Sequence, residues 1–261
     1  MRLINMNSLS NNKTMLTRLI AIASFVLTPV VSMAAGGGSS VKMEPIEVRL
    51  GDLPSMQNGA RIFVNYCLSC HNAEYMRYNR MAEDLEIPAA LVESQMISSD
   101  AKIGDPMTTN MPADKAAEWF GVTPPDLSLT GRLRGPRWLY NYFKGFYVDE
   151  NSVSGWNNTV FPGVAMPHVL AGLQGRQRAV FKEVDGHQEF GHFELEREGS
   201  MSPEEFDSAM RDLTNFLVYM GEPAKLHRIK YGMYVMLFLL VFFGLAFMLK
   251  HEYWRDVDKS H

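Results

Sequence analysis

Two cysteines stand two residues apart with a histidine directly after the second, at Cys67-Leu68-Ser69-Cys70-His71, and the chain has no other cysteine. That spacing suits covalent attachment of a c-type haem. Two thiols add to the vinyl groups of a porphyrin as thioethers, and the adjacent imidazole reaches the iron. Cys67 and Cys70 would then tether the porphyrin edge and His71 would fill one axial position. A redox dithiol would want a thioredoxin-like βαβ setting, and a zinc site would want a second pair of ligands. The sequence offers neither.

The residues alone leave the sixth iron ligand open. The chain has 18 methionines, and most methionines simply fill gaps in a core. Two of them precede proline in loop-like sequence, Met111 in TTNMPAD and Met166 in FPGVAMPHVL. There the proline would stiffen a loop able to press a sulfur on the iron. His168 is a third candidate, although a lone loop histidine is more often merely solvated. A thioether favours ferrous iron, so a His/Met pair would raise the potential and close both axial positions. Such a haem passes electrons and does not bind oxygen or peroxide.

The elements that must position these groups can be read from periodicity. Ala60, Ile62, Phe63 and Tyr66 recur at helical spacing over residues 55–68, so a helix should run directly into the cysteine motif. Pro124-Pro125-Asp126-Leu127-Ser128 breaks the next helical segment. Pro136 then sits where a first-turn proline belongs, ahead of Trp138, Leu139, Tyr142 and Phe143. Two alternating runs between residues 179 and 195 flank Asp185-Gly186, a strong hairpin signal. Ser202-Pro203-Glu204-Glu205 reads as a capping box opening a helix through Phe206, Met210, Leu213, Leu217 and Met220, which Gly221 and Pro223 end or bend. Before all of these, residues 36–40 (GGGSS) form a flexible leader and residues 46–50 an extended stretch.

The composition is that of a folded protein, with 46% hydrophobic and 21% charged residues among 261. The apolar residues, however, concentrate at the two ends. Arg2, Lys13 and Arg18 precede an apolar run over residues 19–31 and the small residues 32–35, the three regions of a secretory signal peptide; Met15 is an alternative start. Cleavage near residue 35 would leave residues 36–224 as the exported domain. Residues 231–249 carry no charge, and Lys230 and Lys250 bracket them. Nineteen residues at ~1.5 Å each span about 28 Å, close to the ~30 Å hydrocarbon core, so residues 225–250 are expected to form one transmembrane helix, with residues 251–261 left in the cytoplasm. Basic residues are balanced across the span, and the signal peptide therefore sets the orientation, with the haem domain in the periplasm and the anchor in the inner membrane. A net charge of −4 offers no basic face for nucleic acid.

Four motifs in order carry a resemblance: CLSCH after NGARIFVNY, TPPDLSL before GRLRGPRWLYNYFKGF, FPGVAMPHVL, and EPAKLHRIKYGMYVM entering the C-terminal span. Nearly the whole mature chain resembles the cytochrome c1 family of bacterial cytochrome bc1 complexes. The resemblance implies a mainly α-helical, cytochrome c-like haem domain with loop insertions, a small β-hairpin and one C-terminal transmembrane helix. It implies one covalent haem c with Met166 as sixth ligand in place of Met111. It also implies that Pro125 lines the haem pocket and that Arg134 pairs with a propionate, with Tyr140 nearby; Arg132 is the alternative, since either guanidinium suits a carboxylate.

The same resemblance implies electron relay from a Rieske iron–sulfur protein to a cytochrome c, beside a cytochrome b subunit. The chain would be a carrier by itself and part of a quinol–cytochrome c oxidoreductase as a complex. Some bacterial relatives carry an extra disulfide, which this chain cannot form with both cysteines committed to haem. The crowd of acids between Glu183 and Asp207 would suit docking of a basic cytochrome, or would simply be solvated. Rival readings are a free-standing anchored monohaem cytochrome serving a terminal oxidase, a haem sensor or peroxidase with an open sixth position, and an anchored subunit whose haem only stabilises the fold.

Overall fold

A computed structural model describes residues 41–97, 100–184 and 186–255. The signal segment 1–35, the leader 36–40, Asp185 of the hairpin turn and the tail from residue 256 lie outside the described residues, as do the side chains of Ile229 and Lys230.

Helix α1, Leu53–Tyr66, starts where Asp52 caps it by accepting from the Ser55 amide at 3.2 Å. Its buried residues Met56, Gly59, Ala60, Ile62 and Phe63 fall on one stripe, as the 3.6 period demands. That stripe meets α8, Pro203–Gly221, in the principal helix–helix contact. The two backbones approach closely because residue 59 has no side chain: a Cβ there would sit 2.1 Å from the Asp212 carbonyl oxygen. The start of α8 is the expected capping box, with Ser202 accepting from the Glu205 amide and Glu205 accepting from the Ser202 amide.

Between these two helices in sequence come short elements: β1 Ala73–Arg77, α2 Tyr78–Asp84, α3 Ala89–Gln95, β2 Pro106–Met107, α4 Ala113–Phe120, α5 Thr130–Arg134, α6 Pro136–Lys144, β3 Phe146–Val148, β4 Trp156–Asn158 and α7 Ala171–Gln174. The sequence patterns pointed to α6 alone among them, because five- to eight-residue helices hold too few turns to show a period. Both α5 and α6 pack on α8, and Gly131 brings α5 so near that a Cβ would lie 2.3 Å from the Leu217 carbonyl oxygen.

Among the described residues, three two-stranded antiparallel ladders accompany the helices, β1–β2, β3–β4 and β5–β6. The last, β5 Gly175–Val184 with β6 His187–Glu198, is the expected hairpin, extended by several residues at its base. The turn passes Gly186 at φ +79°, a conformation open to glycine. The stretch over residues 46–50 is extended but pairs with no strand among the described residues. Side chains hold this region instead: Asn141 accepts from the Glu44 amide and Asn215 from the Arg49 amide. Helix α9, Lys225–Trp254, runs four residues past the expected end, and its residues 231–254 are long and apolar enough to cross a membrane. Their apolar side chains are exposed, as lipid-facing ones would be.

Candidate haem site

The motif helix α1 delivers Cys67 at its C-terminal end, and the chain turns at once: the Cys70 and His71 amides both donate to the Cys67 carbonyl, at 3.1 and 2.9 Å. The turn gathers both thiols and the imidazole at one cavity of about 330 Å³. Cys67 is buried and Cys70 partly so, and no disulfide joins them. Burial, with Cys70 adding to it, pushes the Cys67 thiol up to about 12.

His71 is oriented by its neighbour loop. Its Nδ1 lies 2.7 Å from the Pro125 carbonyl oxygen, an acceptor only, so Nδ1 carries the proton and Nε2 keeps a free lone pair. Burial lowers the His71 pKa against the opposing pull of the Pro125 bond and Asp126, favouring the neutral, ligating form. The Pro125 carbonyl is itself fixed, because Asp126 accepts from the Glu74 and Ser128 amides at 2.9 and 2.7 Å and the Leu127 amide donates to the Asn72 carbonyl at 2.7 Å. Asn72 in turn accepts from the Thr109 amide, and the Thr109 hydroxyl donates to the Ser69 carbonyl. The TPPDLS segment therefore serves the histidine.

A separate part of the wall comes from the loop of residues 161–170, which brings Phe161, Val164 and Met166 to the same cavity. Asn158, fully buried, shapes this loop: its amide donates to the Tyr142 carbonyl while its oxygen accepts from the Val160 and Phe161 amides. The Tyr142 hydroxyl donates to the Met166 sulfur at 3.4 Å. Burial holds that phenol well above its usual range, partly offset by Arg134, so the donor proton stays in place. Helix α6 presents Trp138, Leu139, Tyr142 and Phe143 to the cavity, the i, i+1, i+4, i+5 stripe of one face.

The same periodicity sends Tyr140 elsewhere. Although fully buried, it is not among the residues lining the cavity; its hydroxyl donates to Asp207 and accepts from Lys144 at 3.0 Å. Tyr142, two residues on, lines the cavity instead, as does Tyr66. Arg134 does line the cavity, its guanidinium 4.8 Å from the Trp138 ring centroid and 5.8 Å from that of Phe161. Arg132 points to Glu222, 3.8 Å away. Met111 and His168 do not line the cavity, whereas Pro125 does. Within the acidic region, Glu196 is paired with Arg178, Asp207 with Lys144 and Arg211, and Glu205 closes the capping box. Sequence reasoning missed Tyr142 as a partner of Met166, and Asn158 altogether; neither role carries a local signature.

The residues fit a covalently held porphyrin: two thiols at one cavity, an imidazole with its Nε2 lone pair free, a thioether from a distant loop, mostly apolar walls and one guanidinium. Fold and site together define a c-type haem protein with a membrane-length C-terminal helix. The chain belongs to the cytochrome c1 family, whose model matches residues 48–178 and 197–257. Residues 179–196, most of the β5–β6 hairpin, fall between the two matched blocks. A cytochrome c1 of Allochromatium vinosum is 47% identical over 92% of this chain and 99% of its own length. The ammonia monooxygenase gamma subunit of Nitrosomonas europaea is 42% identical over 90% of this chain and 97% of its own. The cytochrome b/c1 of Bradyrhizobium diazoefficiens is 25% identical over 78% of this chain, which covers 34% of that longer protein.

The chain accordingly carries covalently bound haem c and acts in electron transport, as the membrane-anchored electron-transfer subunit of the bc1 complex. The free-standing oxidase donor is not favoured.

Proposed function

We propose that single electrons reach this subunit from a Rieske iron–sulfur protein and leave to a cytochrome c, with a cytochrome b subunit alongside α9 in the inner membrane. The name cytochrome b/c1, borne by one relative, supports the pairing with cytochrome b. In this reading the signal peptide is removed near residue 35, residues 36–224 occupy the periplasm, and the chain end beyond the anchor lies in the cytoplasm. Bound haem supplies a one-electron couple between ferrous and ferric iron.

The chain's own residues do the rest. Cys67 and Cys70 form the tethers. His71 presents Nε2 from one side of the cavity, its ring held by Pro125, and Met166 presents sulfur from the loop shaped by Asn158. With His71 and Met166 as its two protein ligands, a bound haem iron would have no vacancy for oxygen or peroxide, and the mostly apolar walls would disfavour water beside it. Arg134, on its shelf of Trp138 and Phe161, supplies the cation for a propionate. One observation carries the reading: an oriented imidazole and a methionine sulfur from a segment 95 residues later line a single cavity with both thiols.

Purification in mild detergent tests the partners. A cytochrome b and a Rieske protein should co-purify with the haem-bearing chain in stable ratio. Recovery of the chain alone, or with an oxidase, contradicts the proposal.

A further inference from the structure

Two residues after Met166, the chain spends a buried histidine that the site itself does not use. His168 is 5% exposed. Its ring stacks on Phe146, with centroids 4.7 Å apart and planes 4° from parallel, and meets the Trp156 ring edge-on at 5.0 Å. Its Nε2 lies 2.6 Å from the Gln174 side-chain oxygen, while the Gln174 amide nitrogen donates to the Lys144 carbonyl at 3.1 Å. The second bond fixes which end of the amide is the acceptor, so Nε2 carries the imidazole proton and Nδ1 is a bare lone pair. That Nδ1 is the one buried side-chain nitrogen or oxygen without a hydrogen-bond partner among the described residues.

A buried acceptor left unpaired costs stability. A phenylalanine would keep the stack on Phe146 and spare that cost, so packing alone gives no reason for histidine here. What the imidazole adds is one directional tie, from the loop through Gln174 to the backbone at the end of α6. The main chain is pinned at the same residue, since the Ala171 amide donates to the His168 carbonyl at 3.2 Å. On the other flank of Met166, Val164 is buried in the core. Met166 is therefore held between two anchored residues, one of them anchored through a ring nitrogen.

We propose that His168 is a positioning residue, whose Nε2–H bond to Gln174 holds the Met166 segment so that its sulfur stays directed into the haem cavity. The proposal rests on Met166 being the sixth ligand, and the test separates the two. Full-length, haem-loaded protein in detergent is titrated in its ferric state with imidazole, which competes for the methionine position. Wild type is compared with His168→Phe, Gln174→Leu, the double variant and Met166→Leu, with haem content and melting temperature measured on each.

We expect His168→Phe and Gln174→Leu each to bind imidazole about five- to tenfold more tightly, as loss of one hydrogen bond predicts, and the double variant to go no further than either. A merely structural role would lower the melting temperature and leave imidazole affinity unchanged. If Met166→Leu tightens imidazole binding while the other two do not, ligation stands and the positioning role is overturned. If Met166→Leu changes nothing, ligation fails and takes this proposal with it. Should His168→Phe fail to mature, Gln174→Leu decides, together with the ring tautomer in the ferrous wild type by nitrogen NMR: a proton on Nε2 supports the proposal and a proton on Nδ1 overturns it.

Discussion

The bond from His71 Nδ1 to the Pro125 carbonyl does two jobs at one atom pair, fixing ring direction and choosing the tautomer that leaves Nε2 free. A comparable economy holds at Asp207. Burial acts to raise its carboxyl, yet hydrogen bonds from Lys144, Tyr140 and Arg211 outweigh that and hold it at about 2, below the ordinary 3.8. A depressed folded-state pKa means the contribution is present in full above the unfolded value and is lost as pH falls through the folded one. Asp207→Asn should therefore lower stability at pH 7 by about 1 kcal/mol, allowing for solvent screening at a partly exposed site. The gap in melting temperature between variant and wild type should close between pH 4 and about 2; a constant gap contradicts this. The chemistry of CLSCH was readable because five adjacent residues carry it. Tyr142, Asn158 and Gln174 were not, since each role depends on at least one partner 16 to 30 residues away in sequence.

Among the elements, the crossing of α1 and α8 sets where the motif helix ends, and hence where both thiols stand. Its closeness depends on Gly59, where a Cβ would meet the Asp212 carbonyl oxygen at 2.1 Å and the Phe216 Cβ at 2.8 Å. Backbone cannot swing aside as a flexible side chain can. Gly59→Ala should cost about 1–3 kcal/mol, read as a lower melting temperature, whereas Gly172→Ala, facing open space, should be near neutral. Equal melting temperatures for the two variants would refute the close-packed crossing. The long elements α1, α8 and the hairpin were visible in sequence through period, cap and turn signals, and α9 through its uncharged apolar run. Tyr140 shows the limit: the family resemblance suggested the cavity, and the helical phase of α6 turned it toward Asp207.

At the scale of the whole molecule, a domain built on α1 and α8 holds the site, and α9 continues from it with apolar side chains exposed to whatever surrounds them. Relay through such a subunit needs a potential suited to both donor and acceptor, and axial ligation is the strongest means the protein has of setting it. A potentiometric titration of the haem in the detergent-purified complex, wild type against Met166→Leu, therefore tests the account most directly. The variant should fall in midpoint potential by roughly a tenth or more of the ~0.8 V range that axial ligands command, and its ferrous form should gain the ability to bind carbon monoxide. An unchanged potential with no carbon monoxide binding would show that the sulfur of Met166 is not on the iron.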